Sequence, residues 1–205
     1  MNTVSEEITH LVNQVQIAHR LCVGFYQRLL PCVQQVASAL ECSFCSWNPL
    51  ETDRPTRQYT PPQNKWAWDM VPMYATEHLY ERVAGEHARE GDLNLSFHIY
   101  LDQNFKSDQR KQLGIKGQPD PLTLPQGEAN VEICMYRCTA DSKTSFDSLW
   151  EAAKEPDAET AGWQMVGEKM QATSRRYPLA RFIAQTDQVI AELEVMLDVP
   201  VEADT

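Results

Sequence analysis

The chain has 205 residues, 42% of them hydrophobic, and a formal net charge of −11, enough apolar content to fill one core in a single domain over residues 1–205. Residues 141–205 hold 13 acids against 6 bases, and such a balance argues against direct binding to nucleic acid or to an anionic membrane, both of which need clustered Lys and Arg. With no run of about 18 apolar residues and no basic, apolar leader at Met1, the expectation is a cytoplasmic protein whose six cysteines are reduced thiols.

Thr3 and Glu6 form a capping-box pair that predicts the start of a helix. From it runs a seven-residue repeat, with Ile8, Val15, Cys22, Leu29 and Val36 at one seam position and Leu11, Ala18, Phe25, Cys32 and Ala39 at the other. Pro31 falls inside the repeat without breaking its phase, which predicts a kinked helix over about 4–41. The flanking positions Glu7, Gln14, Leu21, Arg28 and Gln35 carry few charges. That points to a helix laid on its own domain rather than a two-stranded coil, with Cys22 and Cys32 as small core residues.

Residues 47–65 contain Asn48-Pro49, Arg54-Pro55 and Thr60-Pro61-Pro62, so a long loop is expected there. Its basic residues stand among aromatics. Arg54, Arg57, Tyr59, Trp66, Trp68 and Tyr74 make a cationic, aromatic patch in an acidic chain, the composition of a partner-binding surface.

Alternation predicts a strand over 93–105, with Leu93, Leu95, Phe97, Ile99 and Leu101 on one face and Asn94, Ser96, His98, Tyr100 and Asp102 on the other. After a breaker-rich connection at 106–127, a second strand is expected over 129–138 and a third over 163–173. Thr144 and Asp147 resemble a capping pair for a short helix that Pro156 ends. Pro178 opens a last amphipathic helix over about 178–198. The fold class is therefore α+β: an antiparallel sheet of about three to five strands, with long helices from both termini packed on one face.

Three constellations could carry chemistry. Cys42, Cys45, Cys134 and Cys138 could hold a structural zinc, but neither pair has the glycine of a zinc knuckle, so no metal or cofactor is expected. His98, Tyr100 and Asp102, with Glu132 or Tyr136 from a neighbouring strand, could form an acid–base cluster. A nuclease-type Glu-x-Lys tripeptide is missing, since Glu168 and Lys169 are adjacent. The leading expectation is a non-enzymatic acidic protein-binding domain, of the inhibitor, immunity or anti-defence kind, that occludes a basic nucleic-acid-handling protein. Its alternative is a small intracellular hydrolase or nucleic-acid-processing enzyme with its site around His98, Tyr100 and Asp102.

Overall fold

Helix α1 (Glu6–Ala39) begins where the Ser5 hydroxyl accepts from the Ile8 backbone N–H, with Glu6 and Glu7 against the positive end of the helix dipole. The cap is Ser5 and not Thr3, which lies outside the described residues. The computed structural model describes residues 5–52, 59, 61, 70–117, 120–157 and 160–200. The helix runs without interruption through Pro31. It stops at Leu40, and Glu41 then takes a left-handed φ of 60°.

Six strands follow: β1 (Ser43–Pro49), β2 (Ala75–Arg82), β3 (Leu93–Tyr100), β4 (Asn130–Cys138), β5 (Gln164–Gly167) and β6 (Met170–Pro178). They form one antiparallel sheet in the order β1-β2-β3-β4-β6-β5. The helices are α2 (Ser107–Gln112), α3 (Phe146–Ala152), α4 (Leu179–Ala184) and α5 (Thr186–Leu197). The class is α+β with helices from both ends of the chain, and the strand count exceeds the expected range. Among the described residues no helix is long and apolar enough to cross a membrane.

Several boundaries differ from those expected. Residues 47–49, assigned to the loop, belong to β1, because Trp47 and Asn48 pair with His78 and Glu77 of β2. The strand over 93–105 ends at Tyr100, where Asp102 caps a 3₁₀ turn at Gln103–Phe105. The segment 163–173 is a hairpin: β5 and β6 meet at Glu168-Lys169, with Lys169 at φ 57°, and β6 runs on to Pro178. Ser145, not Thr144, caps the short helix α3 by accepting from Ser148. The terminal helix is two helices, because Gln185 at φ −133° leaves the helical region and Thr186 turns its hydroxyl back to the Phe182 carbonyl.

The main core lies between one sheet face and the helices. Leu29, Val33 and Val36 of α1, with Leu179, Phe182, Val189 and Leu193 of α4 and α5, cover Leu93, Leu95, Phe97, Ile99, Val131, Ile133 and Met135. This is the expected packing of both terminal helices on one face, but only the last third of α1 takes part. The second face carries two smaller clusters. One lies under α3 around Phe146, Tyr136 and Met170, and the other joins Ala75, Tyr100 and Phe105.

Candidate functional site

Between those two clusters the strand registers place a polar row across the second face. Asn48 of β1 stands opposite Glu77 of β2, Glu77 opposite His98 of β3, His98 opposite Glu132 of β4, and Glu132 opposite Arg176 of β6. Directly opposed residues in antiparallel strands have Cβ atoms about 4.5–5.5 Å apart, so the row is a chain of neighbours. Its ion pairs close accordingly: His98 Nε2 is 3.2 Å from Glu77 Oε1, and Arg176 donates to Glu132 at 3.0 Å. Ser96, two residues before His98 and therefore on the same face, is only 2% exposed.

The Ser96 hydroxyl donates to Glu77 Oε1 at 3.0 Å and lies 2.8 Å from His98 Nε2. The hydrogen bond from His98 is the largest influence holding the Glu77 carboxyl below the ordinary glutamate range, with further help from Ser96 and Asn48 against the cost of burial. A serine nucleophile needs an unprotonated imidazole nitrogen facing its hydroxyl, and the carboxylate on the other nitrogen. Here the acid and the hydroxyl crowd the same nitrogen. Nε2 must carry the proton to donate to Glu77, and the Ser96 proton is directed at the carboxylate. The geometry is that of a polar staple joining β2 to β3.

The other residues of the expected acid–base cluster disperse. Tyr100 is buried under the Lys106 ammonium, 4.1 Å from its ring centroid. Tyr136 packs edge-on against Trp150 at 6.3 Å. Asp102 leaves the strand altogether and ties a loop, its Oδ1 accepting from the backbone N–H groups of Asn104 at 2.9 Å and Gly127 at 2.8 Å. The cysteine pairs also separate, with Cys42 in the helix-side core and Cys134 and Cys138 under α3 on the opposite face. Burial pushes the Cys42 and Cys134 thiols up to about 12, so both stay protonated near neutral pH.

Of the expected partner-binding residues, Arg54, Arg57, Trp66 and Trp68 lie outside the described residues. Tyr59 is 92% exposed. Tyr74 packs at a tilt on Phe105 with centroids 4.5 Å apart and adjoins the small cluster at one end of the sheet.

The apolar surface lies elsewhere. From Ile8 to Val23, α1 projects with Ile8, Leu11, Val12, Val15, Ile17, Leu21 and Val23 each about half exposed or more. Ile8, Leu11 and Val15 are expected to lie on the domain, yet among the described residues none of the seven belongs to a core cluster. The helix meets the main core from Phe25 onward, and Tyr26 beside it donates its hydroxyl to the Met73 carbonyl at 2.6 Å. Where α1 passes the edge strand, a groove of about 720 Å³ continues the apolar surface, lined by Leu30, Pro31, Phe44, Trp47, Met73 and Tyr80. The sequence held the signal for this surface, since Leu21 sits where a domain-packed helix would carry a polar residue, Val12 and Val23 widen the stripe, and Ile17 puts an apolar side chain on the opposite side of the helix.

A family profile matches residues 5–197, nearly the whole of this architecture. The chain belongs to the PM0109 family. No curated protein and no solved structure matches it. The PM0109 match begins at Ser5, the cap of α1, so the projecting helix is part of what the family profile covers.

Proposed function

We propose that the chain is a protein-binding domain that acts through the apolar face of its projecting helix. One observation carries the reading: seven large apolar side chains between Ile8 and Val23 stand in solvent on a helix whose far end is anchored in the core. Exposed apolar patches of that extent mark interaction sites in soluble proteins, because leaving them in water costs free energy that a partner recovers. The charge of −11 favours an encounter with a basic protein over one with nucleic acid or a membrane. An inhibitor, immunity or anti-defence role, in which the domain occludes a basic nucleic-acid-handling protein, fits that combination of acidic body and apolar arm.

The enzyme reading draws on the 2.8 Å approach of Ser96 to His98. It is the weaker one, because Glu77 shares the nitrogen that would have to act as base.

Photo-crosslinking in the native cells tests the binding function. A benzophenone side chain at Val15 should give one discrete protein adduct, and the same group at Glu151, exposed on α3, should give none. Absent or equally diffuse adducts at both positions would overturn the reading.

A further inference from the structure

We infer that the partner of the projecting helix is a second copy of this chain, paired antiparallel over residues 8–25. This rests on the protein-binding reading and assigns the helix to self-pairing, which leaves the acidic body of each copy to meet a basic protein. In an antiparallel pair the two seam positions alternate, so Ile8 meets Phe25 of the second copy, Leu11 meets Cys22 and Val15 meets Ala18, each twice by the twofold axis.

The charges agree with that direction. Between residues 5 and 28 the acids are Glu6 and Glu7 and the arginines are Arg20 and Arg28, so the signs are segregated toward opposite ends. The same register that stacks Val15 on Ala18 places Glu7 beside Arg28 of the second copy at both ends. Among the described residues neither Glu7 nor Arg28 has an ion pair within its own chain. Parallel pairing would instead set Glu7 against Val12 and Cys22 against Cys22.

Length and shape agree as well. Residues 8–25 extend about 26 Å at 1.5 Å per residue. An isolated helix pair that short is marginal, yet here each helix continues into Leu29, Val33 and Val36, which are fully buried, so it is already nucleated. A cavity of about 330 Å³ opens between α1 and the 3₁₀ turn at Pro72–Tyr74, lined by Cys22, Tyr26, Met70, Val71, Met73 and Leu101. It lies beside Cys22, which the register sets against Leu11 of the second copy, and extends the contact beyond the two helices.

The native Cys22 provides the test. In a Cys45→Ser background the full chain is examined by sedimentation, then oxidised with copper phenanthroline. A dimer at micromolar concentration is expected, with no Cys22–Cys22 disulfide, since the two thiols are about 16 Å apart along the axis and a disulfide needs Cα atoms within about 7 Å. Adding Leu11→Cys should give a disulfide-linked dimer whose bond maps to Cys22. Glu7→Arg should weaken association about ten-fold or more at low salt, and Arg28→Glu in the same chain should restore it.

A Cys22–Cys22 crosslink, or a Leu11→Cys bond mapping elsewhere, overturns the antiparallel register. A monomer at about 100 μM overturns self-pairing. If that monomer still gives a discrete adduct to another protein at Val15, the binding function stands without self-pairing; if no adduct forms, both fall.

Discussion

The guanidinium of Arg137 lies 4.0 Å from the ring centroid of Trp163. From there it donates to Gln171 Oε1 at 2.9 and 3.1 Å and to the carbonyls of Val199, at 2.6 Å, and Pro200, at 3.3 Å. Trp163 in turn donates its indole N–H to the Met196 carbonyl at 2.8 Å. One buried cation thus fastens the end of α5 to β4 and β6, a role suited to Arg because its fork serves several acceptors while its plane stacks on a ring.

Arg137→Met should therefore destabilise the fold by about 1.5–3 kcal/mol, the range for hydrogen bonds to a charged group, and expose the chain after Leu197 to proteolysis. Urea unfolding and limited digestion would measure both. An unchanged midpoint with intact termini would contradict the role.

Glu77 links stability to acid pH. Its carboxyl is held below the ordinary glutamate range by the hydrogen bond from His98, so the folded state binds that proton less tightly than the unfolded chain does. The resulting stabilisation is complete above the ordinary glutamate pKa, about 4.3, and disappears as pH falls through the lower folded value. Glu77→Gln should flatten the acid limb of the stability profile below about pH 5. Melting temperatures across that range would show it.

The two ends of the seven-residue stripe should respond differently to truncation. Leu29, fully buried in the core shared with the sheet, should cost about 2–5 kcal/mol when replaced by Ala. Leu11→Ala, on the projecting part, should change monomer stability by less than about 0.5 kcal/mol. Chemical denaturation under dilute conditions separates the two, and equal losses would contradict the projecting geometry.

Gly127 has no room for a side chain. A Cβ there would stand 2.6 Å from Asp102 Oδ1 and 2.7 Å from the Asn104 backbone nitrogen. Gly127→Ala should break the loop tie at Asp102 and lower stability by about 1–3 kcal/mol, with faster amide exchange at Asn104 as the local sign.

Thiol accessibility follows the two faces. Cys22 and Cys45 are exposed, Cys32 is intermediate, and Cys42, Cys134 and Cys138 are buried. In dilute, monomeric protein iodoacetamide should modify Cys22 rapidly, Cys45 slowly because burial pushes its thiol up to about 12, Cys32 slowly, and Cys42, Cys134 and Cys138 only after denaturation. Mass spectrometry of the time course would decide, and fast labelling of Cys134 would contradict its burial.

Local pattern determined much of this protein. The alternation of Leu93 to Tyr100 and of Val131 to Tyr136 specifies strands with one apolar face, and the stripes of α1 and α5 specify amphipathic helices, because side-chain direction follows backbone period. The strands β1 and β2 were not legible that way. Trp47 and His78 stack on the helix side at 6.5 Å, while Leu79 is buried on the other face beside the part-buried Glu77, so neither side of β2 reads as purely apolar. His98 and Glu132 could be placed on one face from sequence. Glu77 and Arg176 could not, because their neighbourhood is set by strand order and register. The stripe of α1 is uniform in sequence from Ile8 to Val36, yet only the tertiary structure decides that Leu29 is covered and Leu11 is not. A helix 34 residues long outruns the sheet it packs on, since its rise of 1.5 Å per residue carries it about 50 Å whereas the eight residues of β3 span about 27 Å.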